Sequence, residues 1–99
     1  MEQTTTYDLQ QRIEAGKQPH ILDVRETDEF EAGHIPGALN IPLSILPVRY
    51  HELDKATNWD IICLGGARSA RACEFLEGLG YNVTNVQNGM SAWAGAITR

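Results

Sequence analysis

Cys63 and Arg68 are the residues in this chain best placed by type and spacing to act on an anionic substrate. They bracket Leu64, Gly65, Gly66 and Ala67, and Ser69 follows. The apolar pair Ile61-Ile62 ahead of the cysteine reads as the end of a buried strand. Residues 69–79 read as a helix, with Ala72, Leu76 and Leu79 on one face. Adjacent glycines between a strand end and a helix start let the backbone curl tightly and turn its N–H groups inward. The helix start adds unpaired N–H groups and the positive end of its dipole. A thiol in that concavity ionises readily, and thiolate is the reactive form of cysteine. A lone cysteine at the end of an apolar strand is otherwise a small buried hydrophobe. Gly65, Gly66, Arg68 and the following helix are what favour a nucleophile over that reading. Ser69 is expected to cap the helix and hold the exit of the loop. Arg68 has two uses: it can face the pocket and attract an anion, or face outward and pair with an acid that pins the loop.

The elements that must position this loop follow from the rest of the chain. Its 99 residues, 42% hydrophobic, suit one domain over residues 1–99. The net charge of -5 argues against a general nucleic-acid binder. It leaves room for an anionic ligand, because a local cradle can be positive on an acidic protein. No apolar run is long enough to span a bilayer, and the first residues lack the basic and apolar parts of a signal peptide. A cytoplasmic location without membrane attachment is expected. Cys63 and Cys73 fit neither a disulfide framework nor a zinc site, so free thiols are expected.

Residues 1–4 read as a short edge strand. Thr5 and Asp8 have capping-box spacing, and Leu9 and Ile13 share one helical face. Gly16 ends that helix and Pro19 prevents its resumption. Residues 20–24 read as a buried parallel strand whose end carries Asp23, Arg25 and Glu26, with ion pairs expected there. A helix over 27–32 stops at Gly33, residues 34–37 turn, and 38–41 form a short strand. Pro47 divides 43–53 into two short helical or turn segments. Residues 59–64 and 81–86 read as strands, although Val83 and Val86 do not alternate cleanly. Asn88-Gly89 then turns the chain into a last helix carrying Met90 and Trp93. Strands alternating with helices indicate an α/β domain with a largely parallel sheet. Cys73 and Trp93 are assigned to packing, Trp59 and Tyr50 to packing or to the mouth of the pocket, and His34 to a turn in which its ring bonds backbone.

Two separated stretches match a known family. Ile21-Leu22-Asp23-Val24-Arg25-Glu26, Glu29-Phe30, Gly33-His34-Ile35-Pro36-Gly37-Ala38 and Asn40-Ile41-Pro42-Leu43 resemble the N-terminal signature of rhodanese domains. Residues 63–69 resemble their active-site loop, and Gly89-Met90 with Trp93 their C-terminal signature. The resemblance implies a rhodanese-like α/β fold, a five-stranded mostly parallel sheet flanked by helices on both faces. It also implies a sulfurtransferase without metal or organic cofactor. Cys63 takes a sulfane sulfur from thiosulfate or another persulfide donor and passes it to cyanide, a small thiol or a thiol protein. The matched position favours contact between Arg68 and the anionic substrate.

On this reading Cys63 and Arg68 are catalytic, and Leu64, Gly65, Gly66, Ala67, Arg68 and Ser69 bind substrate. Their N–H groups surround the terminal sulfur of a Cys63 persulfide, where one donor is worth about 3–4 kcal/mol. Four residues separate Cys63 from Arg68. Related phosphatases and arsenate reductases have one more and a wider cradle, so the short loop suits a single sulfur atom. Leu64 departs from the family, which often places a basic or polar residue there, and removes a charge that would attract thiosulfate. The alternatives are a persulfide carrier and a non-catalytic binding or regulatory module.

Overall fold

The computed structural model describes residues 1–99. Five strands are formed: β1 (Glu2–Thr5), β2 (His20–Asp23), β3 (Leu39–Asn40), β4 (Asn58–Ile62) and β5 (Asn82–Gln87). The helices are α1 (Thr6–Glu14), α2 (Thr27–Ala32), α3 (Leu46–Arg49) and α4 (Ala67–Gly78). The strand order is β1-β5-β4-β2-β3, and every pairing is parallel. No helix is long and apolar enough to cross a membrane.

Neighbouring residues of each central strand point to opposite faces of the sheet. Leu22, Ile61 and Val83 pack on one face with Leu46, Ala72, Cys73 and Leu76, drawn from α3 and α4. Ile21, Ile62 and Val86 pack on the other with Leu9 of α1. Burial on both faces makes the strands read as continuous apolar runs, as parallel strands do. Val83 and Val86 are three residues apart and therefore serve opposite faces, which accounts for their lack of alternation.

Thr5 caps α1 by accepting the Asp8 N–H at 3.0 Å. Only half of the expected capping box forms. The Asp8 carboxylate turns instead to the Thr4 hydroxyl (2.8 Å) and Arg12 Nε (3.1 Å). Arg12 also reaches across to Asp60 on β4, at 3.1 and 3.2 Å, and so compensates a buried carboxylate. Pro47 lies in the first turn of α3, where its missing N–H costs nothing. It opens a helix after a 3-10 turn at Leu43–Ile45.

Two expectations are corrected. The helix after the loop begins at Ala67, so Ser69 lies inside its first turn and Gly66 is the cap. Gly66 has φ +107°, a left-handed conformation that a side chain rarely tolerates, and this brings the chain into α4 two residues early. The segment after Asn88-Gly89 is only a 3-10 turn, Met90–Ala92, and Trp93 follows it. The Trp93 indole N–H donates to Ala96 O at 3.0 Å, and its ring occupies the space beside Gly95. The chain doubles back there instead of extending a helix.

The strand order creates the crevice. The connection leaving β2 runs outward to β3, whereas the one leaving β4 runs the other way through α4 to β5. Adjacent strands whose connections diverge open a crevice beyond their carboxyl ends, where open α/β sheets hold ligands. Val24–Glu26 and Cys63 lie at those ends.

Candidate active site

Cys63 immediately follows β4 and is 1% exposed. Its Sγ accepts the Gly66 N–H at 3.0 Å and the Ser69 N–H at 3.2 Å. The Ser69 hydroxyl is 3.3 Å from the same sulfur and 3.1 Å from Gly66 O. Ser69 is fully buried, so its proton can serve only these neighbours. Burial alone pushes the thiol pKa up. Bonds from the Ser69 hydroxyl and from the amides of Ser69, Gly66 and Gly65 outweigh it and hold Cys63 below the ordinary thiol value. Iodoacetamide alkylation of Cys63 followed against pH should therefore inflect below the value for an ordinary exposed thiol. An inflection at or above that value would overturn the donor assignment. Cys73 faces the core, where burial pushes its pKa up to about 12 and leaves it inert.

Arg68 takes the outward course. Its Nη1 and Nη2 donate to the two carboxylate oxygens of Glu29 at 2.7 and 3.0 Å. Glu29 Oε1 also accepts the Glu26 N–H at 2.9 Å, so the acid is fixed to the start of α2. Arg68 holds the Glu29 carboxyl at a pKa of about 2, against 4.5 for a free one. Because the folded value is the lower one, the pair stabilises the fold above pH 4.5 and loses that contribution as pH falls towards about 2. Urea unfolding across that window should show wild-type stability falling more steeply than that of Glu29→Gln. Parallel curves would refute the pair's contribution.

The arm carrying Glu29 is itself anchored. Arg25 donates from Nε and Nη2 to Asp23, at 2.8 to 3.1 Å, with both side chains buried. Its remaining donors reach the carbonyls of Glu29 (3.3 Å) and Gly33 (2.9 Å) and staple α2 to the end of β2. Asn40 Nδ2 holds the carbonyls of Asp23 and Arg25, both at 3.0 Å. Glu26, expected in an ion pair, has its side chain beside the Ser44 hydroxyl at 3.4 Å instead. His34 Nδ1 lies 2.7 Å from Phe30 O and its ring stacks on Phe30, as suits a turn residue.

A second clamp comes from the turn after β5. The Met90 N–H donates to Cys63 O at 2.8 Å, and the Ser91 N–H to Leu64 O at 2.9 Å. Thr6 Oγ1 lies 2.8 Å from Gly89 O and 3.0 Å from Gln87 O, tying the turn to the start of α1. Beside the loop opens a groove of about 320 Å³, lined by Leu64, Met90, Trp93 and Ile97 with Arg25 and Glu29. Trp59 and Tyr50 are not part of it. Trp59 lies near the start of β4, and Tyr50 packs against Tyr81 just before β5, both at the opposite end of the sheet.

The rhodanese-like domain matches residues 5–96 of this sequence. The chain belongs to the rhodanese-like domain family. A rhodanese-like domain protein from Staphylococcus aureus has the same fold, with a TM-score of 0.92 and 35% identity over 99% of this chain and 97% of its own. The Bacillus subtilis (strain 168) protein YtwF is 36% identical over 95 residues, covering 96% of this chain and 92% of the relative. A protein of Allochromatium vinosum named "Sulfurtransferase" is 38% identical over 87 residues, covering 87% of this chain and 81% of its own.

Within this rhodanese-like chain, the Gly66 and Ser69 amides converge on Sγ, while Leu64 is exposed and the Arg68 side chain turns to Glu29. Reading the sequence alone missed two contributors. Glu29 was visible only as part of a motif, with no hint that it would meet Arg68. The backbone N–H groups of Met90 and Ser91 carry no sequence signal at all, because any residue but proline supplies one.

Proposed function

We propose that this chain is a sulfurtransferase that carries a sulfane sulfur on Cys63. Membership of the rhodanese-like family and the name of the Allochromatium relative support sulfur transfer as the reaction class. The observation that carries the reading is the buried Cys63 sulfur held by the Gly66 and Ser69 amides at the start of α4. The Cys63 thiolate attacks the outer sulfur of thiosulfate. The new bond joins Sγ to that sulfur, the bond to the sulfonate sulfur breaks, and sulfite leaves with the electron pair. The persulfide so formed keeps one negative charge on its terminal sulfur. The amides of Ala67 and Arg68, which have no intrahelical acceptor at a helix start, are available to it. In the second step a thiophilic acceptor (cyanide, a small thiol or a protein thiol) attacks the terminal sulfur and restores the thiolate. This is covalent catalysis, with one transfer split into two.

Residues 1–99 then make up one rhodanese-like domain working in the cytoplasm, where reducing conditions keep Cys63 and Cys73 as free thiols. A persulfide carrier would share the first step and differ in releasing sulfur only to a protein partner. A non-catalytic module would have no use for a thiol held among amide donors. Intact-protein mass after incubation with thiosulfate, and separately with an alkyl persulfide, tests the proposal. One added sulfur atom, removable by cyanide or a reducing thiol, is expected. No added sulfur from either donor would overturn it.

A further inference from the structure

Arg68 is the only cationic residue between Cys63 and Ser69. Both of its Nη groups are committed to Glu29, at 2.7 and 3.0 Å. The next guanidinium at this edge, Arg25, is buried and matched by Asp23. Glu26 adds a further negative charge within range of Arg68. Within the loop itself a dianion therefore meets amide dipoles and no uncompensated cation; Arg71 lies one turn further along α4, and Arg99 donates to Ala32 O at 2.9 Å beside the adjoining groove. The adjoining groove offers a different chemistry, an apolar wall of Leu64, Met90, Trp93 and Ile97 facing the paired Arg25 and Glu29, with Leu64 and Ile97 exposed.

Resting on the sulfurtransferase reading, we infer that Glu29 sets the donor class, turning the site from thiosulfate towards small organic persulfides whose apolar body lies in the groove beside Leu64 and Trp93. Thiosulfate is a compact dianion that needs a cation, and Glu29 has occupied the one on the loop. A persulfide on an uncharged apolar body carries at most one charge, and its hydrocarbon gains from burial against the groove wall. The step balances without a further reactant. The Cys63 thiolate attacks the terminal sulfur of R–S–SH, the Sγ–S bond forms, and the donor's own S–S bond breaks. The alkyl thiolate leaves with the electron pair, and the proton stays on the new persulfide. Glu29 lines one side of the groove but touches neither reacting sulfur in this step, and it acts on the loop through Arg68, as a specificity residue.

The test compares initial rates of sulfur loading on Cys63, read by intact mass, for thiosulfate and benzyl persulfide. Glu29→Gln keeps an acceptor for the Glu26 N–H and frees the guanidinium. It should raise the thiosulfate-to-benzyl-persulfide rate ratio by about tenfold. The gain should vanish in Glu29→Gln/Arg68→Gln, and should shrink with added salt, as attraction of a dianion by a freed cation does. A ratio that is unchanged or falls in Glu29→Gln would overturn the inference. A measurement on the wild-type protein needs no variant to fold. The ratio of Cys63 alkylation by anionic iodoacetate to that by neutral iodoacetamide should hold steady or rise as salt is added if Arg68 is neutralised, since only repulsion from the thiolate is left to screen. A ratio that drops as salt is added would reveal a free cation and overturn the inference. Failure of both sulfur donors, with the alkylation ratio behaving as expected, would instead locate the error in the sulfurtransferase reading.

Discussion

Gly89→Ala is expected to destabilise the protein by about 3 kcal/mol or more, although Gly89 is neither in the loop nor next to Cys63 in sequence. At φ +58° and ψ -158° it occupies a backbone region that is essentially restricted to glycine. A Cβ there would lie 2.5 Å from Cys63 O and 2.6 Å from the Leu64 carbonyl carbon. Neither can retreat. The Cys63 carbonyl is bonded to the Met90 N–H and the Leu64 carbonyl to the Ser91 N–H, and the turn is held from behind by Thr6. Relief of the clash means parting the β5 turn from the loop. Thermal unfolding should show a midpoint lowered by more than about 12 °C, from the usual entropy of unfolding for this length. Sulfur loading of the remaining folded protein should fall too, since the carbonyls of Cys63 and Leu64 lose their anchors. The control is Gly78→Ala on α4. Its Cβ meets open space, and helix propensity gives a gain of up to about 1 kcal/mol. A Gly89→Ala midpoint within a few degrees of wild type would show that the turn does not brace the loop.

Cys63→Ser should reduce sulfur loading to less than about one-thousandth of the wild-type rate while leaving the fold within about 1 kcal/mol. A serine hydroxyl at neutral pH is not ionised and cannot form a persulfide. Its oxygen still accepts the Gly66 and Ser69 N–H groups, so the amides that surround Sγ are not stranded without a partner. Intact mass after exposure to thiosulfate or benzyl persulfide, paired with urea unfolding, reads both quantities. Loading that persists in Cys63→Ser would move the reaction to another residue. Loading lost together with the fold would mean that the thiol mainly holds the loop together.

Much of this was legible in local sequence. The glycines and cysteine of the loop, the apolar pair Ile61-Ile62 and the order of strands and helices are short-range patterns. They are governed by backbone freedom and by side-chain periodicity within a few residues. Even there, local reading placed the cap on Ser69, because serine is a favoured cap and Gly66 carries no side chain to announce itself. It also turned the chain at Asn88-Gly89 into a last helix carrying Met90 and Trp93, because the fold-back of the indole onto Ala96 O depends on tertiary packing.

By itself, then, the sequence determined the α/β class, the position of the thiol at a strand end, and the run of amides that follows it. Only the tertiary structure decided what Arg68 does and what keeps the loop rigid. Glu29 is 39 residues from Arg68, and it arrives at the loop because Arg25 staples α2 to the end of β2, the strand beside β4. Gly89 meets Cys63 because β5 is the other neighbour of β4. These contacts follow from strand order, which is set by the packing of whole sheet faces. No stretch of residues around Cys63 encodes it.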